Sequence, residues 1–317
     1  MGKQMPTNTD AMHDPRFAGM PTFMRAPYTT EFKGLDIAMV GVPYDGGVTN
    51  RPGARHGPRE IRNASSMMRT LNPTTRTSPY DNCNVADVGD VSLTAMYDPA
   101  KTVDEIAEFY GKLVAAGVRP LTAGGDHSIS YPILKAVATK APVALIHFDA
   151  HCDTWDEFQG SRFMHGAPFR RAHEDGLIVG EKTLQIGIRG SQIIPDGWDY
   201  SEAAGMKVVF MHQIDEIGID GIIDMCRQTV GDMPVYLTFD IDGLDPVYAP
   251  GTGTPEVGGF TTREALAFLR GLRGLDIIGG DVVEVAPAHD SSGVTSLAGA
   301  TMMYEILCLM AAAPSLP

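Results

Sequence analysis

The sequence predicts an α/β protein built as a three-layer sandwich with a mostly parallel central sheet. Short apolar runs of strand length alternate along the chain with amphipathic patterns of helical period. These runs are apolar on both faces, which is typical of parallel strands covered by helices on each side. Pro142–Ile146 is among the longest apolar runs, and it is strand-sized and far too short to span a bilayer.

From residue 35 onward, strand and helix patterns follow one another along the chain. The predicted strands are Asp36–Val42, Arg119–Thr122, Val143–Asp149, Thr183–Ile188, Lys207–Met211, Val235–Asp240 and Leu275–Val285. The predicted helices lie near Gly57–Arg69, Val103–Ala116, Tyr131–Thr139, Ile217–Val230, Thr262–Leu272 and Ser296–Ala312. Residues 1–34 are rich in Pro, Met and Thr and have no clear period, so we expect an N-terminal arm followed by a single domain over residues 35–317.

The composition excludes some classes of partner. The chain has 25 Lys and Arg against 39 Asp and Glu, a net charge of −14, so it lacks the basic face that nucleic acid or an anionic membrane requires. Its cysteines are widely spaced with no CxxC pair, which predicts free thiols: Cys83, Cys152, Cys226 and Cys308. Residues 1–17 lack the apolar core of a signal sequence, so we expect a cytoplasmic protein.

Carboxylates and imidazoles follow three of the predicted strands at the point where each strand ends. Three short strings carry them: Asp149-Ala150-His151-Cys152-Asp153, Asp240-Ile241-Asp242 and Gly124-Gly125-Asp126-His127. In parallel sheets active sites gather beyond the carboxyl ends of the strands, so we expect the strings to meet. Alternation along an extended chain would place Asp149, His151 and Asp153 on one side and turn Cys152 away, into packing.

Each string alone has an ordinary explanation as a turn, a helix cap or a hydrogen-bonded histidine. Together, however, four carboxylates would repel one another, and burying unpaired charge costs roughly several kcal/mol per ion. Two divalent cations would balance Asp149, Asp153, Asp240 and Asp242. Ions held roughly 3.5–4 Å apart can orient a water molecule and activate it as a nucleophile. Oxygen and imidazole ligands suit Mn²⁺, with Ni²⁺ or Co²⁺ as alternatives.

These strings resemble the ureohydrolase (arginase/agmatinase) family, and so does the continuation through Pro250-Gly251-Thr252-Gly253-Thr254-Pro255. The resemblance runs from about Phe17 to the C-terminal helix. It implies an arginase-like fold, a homotrimer or homohexamer, and hydrolysis of a guanidino compound to urea and an amine. By position, it implies one Mn²⁺ held by His127, Asp149, Asp153 and Asp240, and another held by His151, Asp149, Asp240 and Asp242.

The same resemblance assigns two further residues, which join the bridging Asp149 and Asp240 as the catalytic set. His165 matches the family histidine that relays protons near the scissile bond, and Glu284 matches the glutamate that pairs with the guanidinium. A carboxylate can bind a guanidinium bidentately, and an imidazole has a suitable pKa to protonate the departing amine. Without the metal cluster, His165 would be interpreted as a loop histidine and Glu284 as a capping or salt-bridged carboxylate.

The segment before His165 indicates which guanidino compound is bound. Residues 154–164 lack the Asn- and Ser-containing loop with which arginases grip an α-amino acid. Residues 15–25 and 50–58 resemble the branch that contains guanidinobutyrase, guanidinopropionase and proclavaminate amidinohydrolase. We therefore expect guanidinopropionate or guanidinobutyrate as the substrate. Arg162 or Asn50 would bind its carboxylate and Trp155 would narrow the pocket, although ordinary loop structure explains these residues equally well.

Other substrates and classes stay open at this point. Agmatine would need an anion at its far end, which Asp156 or Glu157 could supply. A narrow, apolar pocket would suit guanidine, an alkylated guanidine or a biguanide, and hydrolysis of formiminoglutamate uses the same metal apparatus. A non-catalytic partner subunit would be marked by a lost ligand, and all the metal positions are filled. A one-metal, deacetylase-like enzyme would not need six ligands.

Overall fold

The structure is a computed structural model that describes residues 12–193 and 196–316. Its core is an eight-stranded sheet in which each pair of neighbouring strands is parallel. The strands are β1 (Ile37–Val42), β2 (Val85–Asp90), β3 (Arg119–Gly124), β4 (Val143–Phe148), β5 (Ile178–Ile188), β6 (Lys207–Phe210), β7 (Val235–Asp240) and β8 (Ile277–Val283). Their order across the sheet is β2-β1-β3-β8-β7-β4-β5-β6.

Helices cover both faces of this sheet. They are α1 (Gly57–Ser65), α2 (Pro79–Asn82), α3 (Pro99–Ala115), α4 (Ser130–Val137), α5 (Pro168–Glu174), α6 (Asp196–Ala203), α7 (Met211–Val230), α8 (Thr262–Gly271) and α9 (Val294–Met310). One hydrophobic cluster packs α1, α7, α8 and α9 on one face, and a second packs α3, α4 and α5 on the other. The predicted three-layer α/β sandwich is confirmed, and the sheet is fully rather than mostly parallel.

The seven predicted strands and six predicted helices are present with shifted ends, while β2, α2, α5 and α6 were not predicted. Strand β2 was missed because its sequence, Val85–Asp90, contains two aspartates and a glycine. The structure buries Asp87 by pairing it with Arg62 at 2.8 Å and with the backbone N–H of Phe23 at 2.8 Å. Arg62, which is far from Asp87 in the sequence but next to it in space, therefore allows a polar strand to lie in the sheet. The local pattern of apolar residues does not reveal this pairing.

The described part of the predicted arm, residues 12–34, lies against the domain, while residues 1–11 lie outside the described residues. Phe23 is fully buried in the same hydrophobic cluster as α1, and Tyr28 forms a β-bridge with Asp87. Phe17 and Met20 are 95% and 68% exposed. Within the described residues, we find no helix with the length and apolar character needed to cross a membrane.

The four central strands position the site. β3 leads to His127, β8 leads to Glu284, β7 ends at Asp240, and β4 leads to Asp149. The turn after β3 requires glycine at position 125, because a Cβ there would lie 2.0 Å from the backbone oxygen of Tyr44. The carboxyl ends of these four strands therefore meet at one buried edge, as the sequence predicts for a parallel sheet.

Candidate metal centre

The first group of ligand atoms surrounds Nδ1 of His127. Three carboxylate oxygens lie near this nitrogen: Asp149 Oδ2 at 3.1 Å, Asp153 Oδ2 at 2.9 Å and Asp240 Oδ2 at 3.1 Å. The imidazole is fully buried, and Nδ1 has no hydrogen-bond partner among the described residues. Its other nitrogen, Nε2, lies 2.8 Å from Thr238 Oγ1, which fixes the ring. A cation would satisfy the unpaired nitrogen and all three oxygens.

The second group lies beside the first and shares Asp149 with it. His151 Nδ1 lies 3.3 Å from Asp149 Oδ1 and 3.3 Å from Asp242 Oδ2. Asp149 therefore presents one carboxylate oxygen to each group. The His151 side chain is 25% exposed, whereas Asp149 and Asp242 are at most 1% exposed. The centre is thus buried in the protein and open to solvent on the His151 side.

The predicted alternation of side chains does not hold beyond β4, because the extended conformation ends at Phe148. Asp153 has a left-handed backbone, with φ at +54°, and its carboxylate faces His127 while His151 faces Asp242. His151 and Asp153 consequently fall in different groups, as their predicted assignment to different ions requires, although both line the same cavity. Cys152, predicted to pack away from the site, is buried but also lines the adjoining cavity, and burial raises the pKa of its thiol.

The protonation chemistry of these carboxylates fits divalent ions. Burial, followed by the negative charges of Asp242 and Asp149, raises the pKa of Asp240 well above its usual range. Burial is also the largest cause that raises the pKa of Asp242. A nearby metal ion reverses this effect, because its positive charge favours the ionised carboxylate. The unpaired His127 nitrogen, the shared Asp149 and the crowded acids therefore fit a pair of divalent ions.

Chelator-treated protein is expected to lose thermal stability between about pH 6 and pH 9. In this window the acidic groups of the unfolded chain are already ionised, so a carboxyl group contributes to the change only if its pKa is raised in the folded state. Asp240 is such a group. His127 is another, because burial lowers its pKa but the carboxylates of Asp149, Asp153 and Asp240 beside its Nδ1 outweigh burial. A folded state that holds extra protons loses this stabilisation as pH rises through the folded pKa.

Melting temperatures measured by scanning fluorimetry at three pH values test this expectation. Adding back Mn²⁺ should remove most of the pH dependence, because a bound cation replaces the protons. A chelated protein whose melting temperature is flat or rises over this range would contradict the proposed crowding of charge.

His165 and Glu284 form a buried pair next to the first group. His165 Nδ1 lies 2.9 Å from Glu284 Oε1, which also accepts the backbone N–H of His127 at 2.8 Å. Thr49 donates its backbone N–H to His165 Nε2 at 3.2 Å. Glu284 Oε2 is buried and has no hydrogen-bond partner among the described residues. The backbone of Glu284 is left-handed, with φ at +64°, a conformation that costs of order 1–3 kcal/mol and clusters at functional sites.

A cavity of about 180 Å³ opens beside the centre. Of the predicted substrate contacts, Trp155 and His165 line this cavity, and Glu284 lies behind His165. The other lining residues outside the predicted metal ligands include Thr49, Met164, Ser191, Gln192, Ile193, Gly197 and Thr254. Pockets for drug-sized ligands are typically about 300–1,000 Å³, so this volume suits a small molecule.

The structure does not bring the other two predicted contacts, Arg162 and Asn50, to the cavity. The Arg162 guanidinium lies 3.2 Å from Asp156 and 3.0 Å from Glu174, and the side chain is 53% exposed. The neighbouring acids therefore hold Arg162 on the surface. Asn50 is exposed and does not line the cavity, although it follows the lining residue Thr49 directly.

Sequence reasoning missed several side chains that contact the predicted site residues. Thr238 contacts His127, Thr49 contacts His165, and His147 lies 2.6 Å from Asp149. His147 could have been noticed in the sequence, because it lies near the end of β4 and only two residues before Asp149. Nothing in the sequence indicates the contacts of Thr238 and Thr49, because these contacts depend on how separate strands and loops are placed.

Comparison with known proteins places this geometry in a family. The model of the arginase family matches residues 35–309. Guanidinopropionase from Pseudomonas aeruginosa is 48% identical over 312 residues, which cover 98% of each chain. Mitochondrial guanidino acid hydrolase from Homo sapiens is 47% identical over 93% of this chain and 84% of its own. The structure of proclavaminate amidinohydrolase from Streptomyces clavuligerus superposes with a TM-score of 0.91, at 41% identity over 95% of this chain and 100% of its own. The chain belongs to the arginase family, whose ureohydrolases are binuclear metal-dependent enzymes that hydrolyse C–N bonds of small guanidino compounds.

Proposed function

We propose that this protein cleaves the guanidino group of a small guanidino acid, guanidinopropionate or guanidinobutyrate, to urea and an amine. The similarity to guanidinopropionase along almost the whole of both chains carries this proposal. Guanidinobutyrase from the same bacterium is 44% identical, so the length of the acid tail is open to test. Two Mn²⁺ ions suit the carboxylate and imidazole ligands, and Ni²⁺ or Co²⁺ would also fit them.

Each part of the site has a separate role in the proposed reaction. Bound divalent ions would supply an activated water and would polarise the reacting group. Glu284 binds the guanidinium through Oε2, the buried oxygen that has no partner in the described protein. Because this carboxylate lies behind His165, substrate binding requires the imidazole to shift away from Glu284. The displaced His165 then lies close to the reacting carbon and can pass a proton to the departing amine.

The negative charge of Glu284 links the binding of a guanidinium at Glu284 to the protonation of His165. Burial lowers the pKa of His165, but the negative charge of Glu284 outweighs burial and raises this pKa to about 9. The hydrogen bond from the Thr49 amide describes the neutral imidazole, since an amide N–H can only donate. The raised pKa means that the His165 ring takes up a proton readily while no guanidinium is bound at Glu284, and the hydrogen bond from Thr49 shows the ring before it does so. A guanidinium bound at Glu284 cancels the negative charge and makes His165 a better proton donor.

Replacing His165 with asparagine is expected to lower kcat by about 10²–10⁴-fold, the usual value of a positioned acid or base. The variant should keep both metal ions, because His165 belongs to neither ligand group. The pH profile of kcat should also lose the limb that His165 causes. His173→Asn is a suitable control, since His173 lies on α5 and bonds to Tyr200 at 2.9 Å. An unchanged pH profile in the His165 variant would assign the proton transfer to another group.

The lining of the cavity argues against agmatine as the substrate. Apart from His165 and the predicted metal ligands, the described lining residues are uncharged. Asp156, which could have bound the second cation of agmatine, pairs with Arg171 at 2.7 Å and with Arg162 at 3.2 Å. Glu157 is exposed and does not line the cavity. A carboxylate tail would be held by neutral donors such as the Trp155 indole and the Gln192 amide.

The same observation favours a second candidate. A neutral lining that includes Trp155, Met164 and Ile193 also suits guanidine, an alkylated guanidine or a biguanide. An assay of urea release from protein loaded with Mn²⁺ or Ni²⁺ separates the candidates. The panel should contain 3-guanidinopropionate, 4-guanidinobutyrate, agmatine, arginine, guanidine and a biguanide. Preference for one guanidino acid supports the proposal, whereas turnover of guanidine or a biguanide alone overturns it.

We also propose a homotrimer or homohexamer in the cytoplasm, in which the arm of residues 1–34 contacts a neighbouring subunit. The exposed Phe17 and Met20 on this arm support such a contact, because a neighbouring subunit would remove their apolar surface from water. The described cysteines are all free and buried, which agrees with a reducing compartment. Light scattering with and without residues 1–21 would test the assembly.

A further inference from the structure

A row of polar side chains crosses the interior of the sheet directly beneath the metal ligands. Strand register places its members side by side on β5, β4, β7, β8 and β3: Gln185, His147, Thr238, Asp281 and Thr122. All five are 0% exposed. Polar groups in a sheet interior are costly unless they are hydrogen-bonded, so each should have a definite partner. These residues are too deeply buried to contact substrate, and one of them, His147, contacts the predicted bridging ligand Asp149.

His147 and Gln185 form a chain of contacts that ends on Asp149. His147 Nε2 lies 2.6 Å from Asp149 Oδ2, and His147 Nδ1 lies 3.2 Å from Gln185 Nε2. Gln185 Nε2 also donates to the backbone oxygen of Cys152 at 2.6 Å. That oxygen lies between the ligands His151 and Asp153. The glutamine therefore anchors the ligand-bearing loop and the histidine at the same time.

The backbone oxygen of Cys152 decides how the protons are arranged. A carbonyl can only accept, so the side-chain nitrogen of Gln185, rather than its oxygen, must face it. The same nitrogen then donates to His147 Nδ1, which must be the unprotonated nitrogen of the ring. The proton of the neutral imidazole is consequently on Nε2, and it points at Asp149 Oδ2. The plane of the His147 imidazole is fixed by two neighbouring rings. Its centroid lies 4.5 Å from that of Phe169 and 5.1 Å from that of His127.

The hydrogen bond from His147 to Asp149 matters because the Asp149 carboxylate belongs to both ligand groups. The carboxylate torsion of aspartate is soft and roughly two-fold, so it needs external contacts to stay in one orientation. Asp149 Oδ1 accepts the backbone N–H of His151 at 2.7 Å, and Oδ2 accepts from His147. Each oxygen is thereby clamped while it faces a different ligand group. Partners of this kind set ligand orientation and metal affinity in other metal sites.

We infer that His147 and Gln185 are positioning residues, which hold the Asp149 carboxylate in the orientation that joins the two metal ions. The inference rests on the binuclear centre of the proposed function. His147 is close enough to the first group to be mistaken for a ligand, since its nitrogen lies within 4.8 Å of ligand atoms of His127, Asp149 and Asp153. It does not act as one, because the nitrogen that faces the group carries the proton.

The decisive measurement is metal affinity, determined by isothermal titration of the chelator-treated protein with Mn²⁺. His147→Leu removes the donor and is expected to weaken the binding of at least one ion by about 10–100-fold. His147→Gln keeps an amide N–H near the position of Nε2 and should restore most of the affinity. Gln185→Leu leaves His147 in place but removes the contact that selects its proton position, so it should weaken affinity to a smaller extent.

Thr122→Val is the matched control. Thr122 belongs to the same buried row and bonds to Tyr110 at 2.7 Å, but it touches no predicted metal ligand. It should leave metal affinity unchanged even if it lowers the melting temperature. The visible spectrum of Co²⁺-loaded protein gives a second signal, because a turned Asp149 changes the ligand field in His147→Leu and not in Thr122→Val.

Three outcomes would overturn the inference. Wild-type affinity in His147→Leu would show that Asp149 needs no clamp. Complete loss of one ion in both His147→Leu and His147→Gln would make His147 a ligand. An equal loss in Thr122→Val would make the effect a general one of the sheet interior. If His147→Leu does not fold, Gln185→Leu carries the test. Because the titration needs no substrate, a failure of the guanidino-acid assignment would leave these results unaffected.

Discussion

Replacing Asp240 with asparagine is expected to lower the turnover of the guanidino substrate by at least about 10³-fold and to leave fewer than two ions bound. Asp240 Oδ2 lies 3.1 Å from His127 Nδ1, and its negative charge is one of the four that balance two divalent cations. Asparagine keeps the shape and removes the charge. A correctly held metal ion stabilises a transition state by several kcal/mol, and each 1.36 kcal/mol is tenfold in rate. Urea release and metal content should be measured on the same sample.

The same substitution is expected to have the opposite effect on chelator-treated protein. Burial and the charges of Asp242 and Asp149 already disfavour the ionised form of Asp240, and the neutral amide removes this penalty. At about pH 8, the chelated variant should therefore melt at a higher temperature than the chelated wild type, whereas metal should stabilise only the wild type strongly.

Asp87→Asn provides the control for this reversal. Asp87 is 1% exposed, as buried as Asp240, but it is paired with Arg62 at 2.8 Å instead of facing other acids. Its loss removes one of the two acidic partners of Arg62 and leaves only Asp90 at 2.6 Å, so we expect lower stability with and without metal, and both ions should remain bound. If chelated Asp240→Asn also melted below the wild type, the carboxylates of the centre would not be crowded as the structure indicates.

The grouping of the candidate ligands could be predicted from the sequence because short strings carry these residues. Asp149, His151 and Asp153 lie within five residues, and Asp240 and Asp242 within three. A parallel sheet brings the carboxyl ends of its strands to one edge, so the strings meet whatever the detailed register. Alternation failed only beyond the end of β4, in the segment that contains the left-handed Asp153, because a two-residue period applies to extended backbone alone.

The contacts around those ligands could not be predicted in this way. Whether Gln185 lies beside His147 depends on the register of β5 against β4, which no local pattern in either strand specifies. Arg162 shows the same limit on a loop. Its charge suggested a substrate contact, but the placement of α5 brings Glu174 within 3.0 Å of it. A long charged side chain takes the nearest counter-ion, and only the tertiary structure shows which one that is.

Glu284→Gln is expected to cause a large loss of activity that leaves the metal ions in place. The variant puts a neutral amide where a buried guanidinium needs a negative charge, a loss of about 3–5 kcal/mol, so kcat/KM should fall by about 10²–10⁴-fold. Both ions should remain, because Glu284 Oε1 bonds to the backbone of His127 and not to its metal-facing nitrogen. The pKa of His165 should fall below about 9, since the charge that raises it is gone.

Glu305→Gln is the matched control for Glu284→Gln. It measures the loss of stability that follows from changing a buried acid that does not contact substrate. Glu305 is 3% exposed and pairs with Arg270 at 2.6 Å, on α9 and outside the cavity. This control should melt at a lower temperature yet keep wild-type kcat/KM, whereas Glu284→Gln should lose kcat/KM while keeping two ions. Wild-type kcat/KM in both variants would mean that another group holds the guanidinium. Because the two substitutions remove the same charge from similar burial, a difference in kcat/KM between them can be attributed to the substrate contact at Glu284.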